Sequence, residues 1–234
     1  MRKVFVCVLG VAWVAAAAAA GAASLKLEPT KDARVLGHRS EVGQNCGRSS
    51  RLRTVGIKQG SAEFVIMDFD RAALKAFLEK NEGKTISGKL VLVVRQVQGP
   101  KTKLEVATID AGVDWVEGTK SQQDAEKGEC CALWAQKDVK KWATADGKEV
   151  GRFKELVYDG EKVTTVLNSK GVELAKDDGG KTVEIELDEK LVKHLGTNQN
   201  CRGLFLFHRD PQAKVDVFSR EQNRKQPRLV VTAE

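Results

Sequence analysis

The sequence predicts an all-β fold, a two-sheet antiparallel β-sandwich of jelly-roll type with one or two short helices, on three observations. Short runs rich in β-branched and aromatic residues recur along the chain, each bounded by Gly, Pro, Asn or Asp. Thr182-Val183-Glu184-Ile185-Glu186-Leu187 alternates, so Val183, Ile185 and Leu187 share one face that should be core. No strand–helix–strand alternation of the kind that builds a parallel sheet is present. Periodicity by itself does not separate a jelly roll from an immunoglobulin-like sandwich.

In chain order, Arg2 and Lys3 precede an apolar run from Val4 to Ala20 that gives way to Gly21-Ala22-Ala23-Ser24. This is the order of a secretory signal peptide, expected over residues 1–23, with an uncleaved anchor as the competing reading. Cys7 would leave with it. A single domain is then expected over 24–234, since no repeat and no long Pro, Ser or Gly linker divides it. Its strands are expected at 63–69, 89–97, 103–109, 182–187, 203–208, 214–219 and 228–232. Gly99-Pro100 marks a reversal between two of them, and Asp178-Gly179-Gly180 a turn before another. Ala73, Leu74, Phe77 and Leu78 stand at helical spacing, so 71–80 should form an amphipathic helix, and 189–195 a second short one. Between them, 137–176 mixes charged residues with Phe153, Leu156, Val157 and Tyr158, and is read as an insertion: an added hairpin or a mobile excursion.

A secreted location (extracellular, periplasmic or cell-surface) gives the cysteines a role. Cys46, Cys130, Cys131 and Cys201 form an even set, which in an oxidising compartment predicts disulfides. Adjacent cysteines rarely pair with each other, so one of Cys130 and Cys131 is expected to join Cys46 and the other Cys201. Zinc is the alternative use, although no C-x-x-C pair exists. The 39 basic and 32 acidic residues leave a formal charge of +7. That balance favours anionic partners or serves plain solubility, and a secreted chain would meet acidic polysaccharide before nucleic acid.

Several boxes occur in an order that resembles the DNRLRE domain, a secreted β-sandwich also described as carbohydrate-binding module family 96. Asp32-Ala33-Arg34-Val35 is similar to its opening strand, Asn45-x-Gly47 followed by Leu52 to its Asn-x-Gly turn, and Met67-Asp68-Phe69-Asp70 to its Phe-Asp strand end. Gly83-Lys84-Thr85-Ile86 with Leu90 and Leu92, Trp115-Val116-Glu117-Gly118, and Ser219-Arg220-Glu221 before Pro227-Arg228-Leu229-Val230-Val231 continue the series. Cys130-Cys131-Ala132-Leu133-Trp134 replaces the family's threonine-tryptophan-asparagine stretch. The resemblance implies a jelly-roll-like sandwich of the sort attached to polysaccharide-active enzymes, with members that bind alginate or similar acidic glycans.

Candidate ligand-binding residues follow from chemistry. Arg48, Arg51 and Arg53 offer guanidinium groups for glycan carboxylates. Trp115 and Glu117 would share one side of an extended segment, either as a stacking indole beside a hydroxyl acceptor or as a core cap beside a loop anchor. Arg220 is expected either to bind ligand or to be held by a carboxylate such as Asp70 or Glu117. Structural calcium would require acids among Asp32, Asp68, Asp70, Asp110 and Asp114 to gather with carbonyls; no other cofactor is expected. The histidines His38, His194 and His208 lie in no H-E-x-x-H, and G-x-S-x-G and Walker motifs are missing. The expected function is therefore non-catalytic recognition of an acidic polysaccharide, with no transmembrane segment in the mature chain and a separate polysaccharide-active enzyme as a companion. A structural or adhesive cell-envelope protein is the alternative, and a polysaccharide lyase or hydrolase the third reading.

Overall fold

The computed structural model describes residues 22–234. The expected signal peptide and Cys7 lie outside them, Ala22 and Ala23 excepted. The strands are β1 (Ala23–Leu27), β2 (Pro29–Leu36), β3 (Gln44–Asn45), β4 (Arg51–Val55), β5 (Glu63–Phe69), β6 (Ile86–Gln98), β7 (Thr102–Asp110) and β8 (Gln123–Asp124). They continue with β9 (Trp134–Gln136), β10 (Lys140–Lys141), β11 (Leu167–Leu174), β12 (Thr182–Leu187), β13 (Cys201–Phe207), β14 (Lys214–Phe218) and β15 (Arg228–Ala233). The helices are α1 (Arg71–Lys80), α2 (Phe153–Val157) and α3 (Glu189–Thr197).

The fold is an all-β sandwich made by one antiparallel sheet that curls on itself. Strands follow one another in the order β1-β15-β6-β14-β4-β5-β13-β7-β11, with β12 also on β6 and β2 also on β5. Strand β6 makes the turn between layers. Its first half pairs with β12 and β15, its second half with β14. Between the halves the register slips: Asp216 faces Gln96 but Val217 faces Val94, so Arg95 is an extra, bulged residue. Such a bulge bends a strand and re-aims its side chains. On the open side Asn168 of β11 closes the sandwich, its Nδ2 donating to the Glu186 carbonyl at 2.8 Å and its Oδ1 accepting from the Asp188 N–H at 2.7 Å.

Alternation then fills the interior. Leu52, Val65, Met67, Leu204, Leu206, Val215 and Val217 point inward from one layer and meet Leu90, Leu92, Ile185, Leu187, Leu229 and Val231 from the other. Ile185 and Leu187 are buried, Val183 is half-buried and Glu184 and Glu186 are exposed, as the alternation predicts. Helix α1 begins where Asp70 Oδ1 accepts the Ala73 N–H at 2.9 Å, and its Leu74 and Leu78 pack with α3 over one end of this core.

The segment read as an insertion, 137–176, divides in two: β11 joins the main sheet beside β7, and residues 137–166 join the stretch from 111 in a covering layer. Residues 111–166 wrap the outer face of β2, β5, β13 and β7, where Trp115, Trp142, Phe153, Leu156 and Val157 bury Phe64, Ile66, Phe205 and Phe207 in a second apolar cluster. Phe153 sits edge-on to Phe64, Trp142 and Phe205 at centroid distances of 5.4, 4.9 and 6.2 Å, the arrangement that aromatic quadrupoles favour. It is a packed layer and not a mobile excursion. Its short pairings, β3 with β8 and β9 with β10, pin loops onto it. Among the described residues no helix is long and apolar enough to cross a membrane.

Candidate functional site

Two places draw together the residues singled out in the sequence. The first lies on the outward side of β4, β14 and the bulged half of β6. Leu52 points into the core, so Arg51 and Arg53 point away from it, and the register sets Arg51 opposite Phe218 and Arg53 opposite Asp216. Arg53 donates to Asp216 through Nε to Oδ1 at 2.7 Å and Nη2 to Oδ2 at 3.1 Å. This two-point pair holds the Arg53 guanidinium pKa above its ordinary value. Arg51 stands 3.9 Å from the same carboxylate, and its pKa is pushed down by partial burial and by the charges of Arg53, Arg34 and Arg95, against the pull of Asp216. The bulge sets Arg95 over the Phe218 ring at 5.9 Å, and Lys225 approaches the same ring at 4.6 Å. Arg48 is exposed in the turn leading into β4. The result is a cationic strip around one partly exposed aromatic ring.

The second place is structural. Arg220 Nη1 donates to Glu117 Oε2 at 2.8 Å and to the Thr30 carbonyl at 2.6 Å, while its backbone N–H donates to Asp32 Oδ2 at 2.7 Å. Glu117 Oε1 accepts the Asp32 backbone N–H at 2.7 Å. Asp32 is fully buried and its Oδ1 has no partner, so burial pushes its pKa up to about 8 despite the Arg220 amide. Burial raises the Glu117 pKa as well. Asn45 extends the network. Its Nδ2 donates to the Glu117 carbonyl at 2.6 Å and the Cys130 carbonyl at 2.9 Å, and its Oδ1 accepts from Gly47 and Lys120. A Cβ on Gly47 would lie 2.2 Å from the Glu117 carbonyl oxygen, which explains glycine there. The opening strand, the Asn-x-Gly turn, the Trp-x-Glu-Gly box and the Ser-Arg-Glu box thus meet at one point.

One expectation, the disulfides, is corrected, and two readings left open by the sequence resolve toward structure. Trp115 is the core cap and no sugar platform: it is 1% exposed, and its Nε1 donates to the Arg202 carbonyl at 2.9 Å. Both Glu117 carboxylate oxygens are taken, by Arg220 Nη1 and by the Asp32 N–H, and Arg220 Nη1 also holds the Thr30 carbonyl, so the two form a latch between segments. The expected disulfides are absent, Cys46, Cys130, Cys131 and Cys201 all being free, buried thiols. Cys201 packs in the inner core and Cys130 in the outer cluster, on opposite faces of the sheet. Burial raises all four thiol pKa values, that of Cys201 to about 12.

The acids considered for calcium do not gather among the described residues. Asp68 contacts Arg71 and Lys31, Asp114 contacts Lys31, Asp70 caps α1, Asp110 contacts His194 and Asp32 is enclosed. What sequence reasoning missed is Arg95, Asp216, Phe218 and Lys225. Only the strand pairing and the bulge bring these onto the Arg51 face, although Phe218 beside a Ser-Arg-Glu box was a visible aromatic. No protein-family model matches the chain, and no curated protein matches it.

Proposed function

We propose that this protein is a secreted, non-catalytic binding module for an acidic polysaccharide, docking the polymer on the β4–β14–β6 strip. One observation carries the reading: Arg95 and Lys225 lie over the Phe218 ring, Arg51 is paired opposite it, and Arg53 stands on the same face held by Asp216. Planar guanidinium groups take carboxylates in two-point fashion, and a ring flanked by cations suits a sugar's apolar face beside its acid group. The resemblance to the DNRLRE domain supports the same reading, because four of the boxes that carry it meet in one polar network in the fold.

Arg53 is a poor residue for the test, since its loss strands the buried Asp216. The triple variant Arg51→Ala, Arg95→Ala and Lys225→Ala leaves that pair intact. Calorimetric titration of alginate into wild type should give binding that weakens with added salt, because charges on an exposed face are screened within about 8 Å at physiological ionic strength. A neutral glucan should bind poorly, and the triple variant should lose at least about tenfold in affinity, roughly 1.4 kcal/mol. Unchanged alginate binding by the variant would place the site elsewhere. No heat with either polymer would favour the structural cell-envelope role, and release of shortened chains would favour a lyase or hydrolase.

A further inference from the structure

Where β7, β13 and α3 meet, three chain segments bring an imidazole, a carboxylate and a thiol together. Asp110 is the last residue of β7 and Cys201 the first of β13, and the two are paired across the strands. The register then slips between Cys201 and Leu204, where Gly203 has φ +111°, a backbone closed to most side chains, and a Cβ there would lie 2.2 Å from the Met67 carbonyl oxygen. His194 reaches in from the last turn of α3. His194 Nε2 lies 2.8 Å from Asp110 Oδ1, and an imidazole nitrogen, a carboxylate oxygen and Cys201 Sγ of the trio all lie within 4.8 Å of one another.

We propose that Asp110, His194 and Cys201 form a binding site for a thiophilic divalent metal of the zinc class. Around one tetrahedral zinc, with bonds of about 2.0–2.3 Å, ligand atoms stand roughly 3.3–3.8 Å apart, so small side-chain movements bring this trio to the required spacing. Thiolate and imidazole select zinc-like ions over calcium or magnesium. On binding, Cys201 Sγ releases its proton to solvent and forms a bond to the metal. Cys201 is fully buried, while the side chains of His194 and Asp110 are 20% and 19% exposed, so the outer position faces solvent and is open to water. Beside it runs a groove of about 220 Å³ lined by residues including Arg71, Asn198 and Gln199.

Asn198 holds the imidazole in place: its Nδ2 lies 3.1 Å from His194 Nε2 and 3.5 Å from Nδ1, and its own orientation is set because Asn198 Oδ1 accepts the Asn200 N–H at 2.8 Å. Contacts of this kind, from outside the ligand set, orient a ligating imidazole. Arg71, the nearby cation, is already held by Asp68 and by the Cys201 carbonyl.

The test uses the untagged full chain, freed of metal, with cobalt(II) and then zinc(II) as probes. Cobalt should bind one to one with a sulfur-to-cobalt charge-transfer band, and zinc should displace it. Loss of a supporting partner alone costs metal sites about 10–100-fold, so His194→Gln and Asp110→Asn should each weaken binding by at least about tenfold. Cys201→Ser should abolish the band. Zinc should also raise the Tm of wild type and not that of His194→Gln, a change at a partly exposed side chain outside the apolar core. A folded wild type with no thiolate band, or a band that persists unchanged in both His194→Gln and Asp110→Asn, would overturn the proposal, the latter assigning the sulfur to Cys46, Cys130 or Cys131.

Discussion

Asp32 is the side chain with the most to say about pH. Its folded pKa of about 8 lies above the ordinary carboxyl value of 3.8, so the unfolded chain releases this proton first. Stability from this group is complete below about pH 4 and is lost as pH rises toward 8. His208 has the opposite sign: burial lowers its pKa, so its contribution falls away on acidification below about 6.5. Between pH 6.5 and 8.5 Asp32 should therefore dominate, with the buried thiols adding a loss of the same sign toward the upper end. Urea midpoints of wild type should fall across that window, and Asp32→Asn should flatten most of the slope. A flat wild-type profile would show Asp32 ionised in the fold. This carboxylate was visible in the sequence only as part of an opening strand; its burial depends on Glu117 and Arg220, which are 85 and 188 positions away.

Strands and helices show where local pattern suffices. The expected 63–69, 71–80 and 182–187 coincide with β5, α1 and β12, because a short continuous apolar run, a 3.6-residue stripe and a clean alternation respectively stood between breakers. Strands β1 and β11 were not among the expected strands, and β2 and β4 were expected only through the resemblance, at 32–35 and Leu52. β2 is buried on both faces, with Ala33 and Val35 against the outer cluster, and such strands show no alternation. β11 is mostly polar and is held by its pairing with β7. For β12 the consequence is measurable. Ile185→Ala should cost about 2–5 kcal/mol by leaving a cavity between the layers. Glu184→Ala removes an exposed partner of Lys89 and should change stability by no more than about 0.5 kcal/mol. Equal losses in denaturant titrations would mean that β12 does not cover the core.

The molecule as a unit has two apolar clusters separated by one sheet layer, and only the inner one was legible beforehand. The 137–176 segment read as an insertion because its apolar residues alternate with charges; its partners, Phe64, Phe205 and Phe207, come from β5 and β13, one far upstream and the other downstream. Of the proposed site, the arginines of β4 were legible from composition, whereas Arg95 required a bulge and Phe218 required the β4–β14 register. Phe153→Ala should cost about 3–5 kcal/mol, since it opens the outer cluster at its aromatic centre. Near-UV circular dichroism and hydrogen exchange should then show residues 111–166 loosening before the inner sandwich. Simultaneous loss of both would mean the two clusters unfold as one.

The position of β15 bears on how the chain reaches this state. Strand β15 lies between β1 and β6, and β1 touches the sheet through β15 alone. Residues 23–27 therefore have no ladder until residues 228–233 have been made and have docked, a loop of about two hundred residues whose closure must precede its reward. Until then β6 presents an open edge to any passing strand. A ribosome-bound or nicked chain lacking the last strand would be a sheet with a vacant slot, sticky at β6 and loose at β1. Closure of this edge is thus gated by β15, which must be made and docked before β1 has anything to pair with.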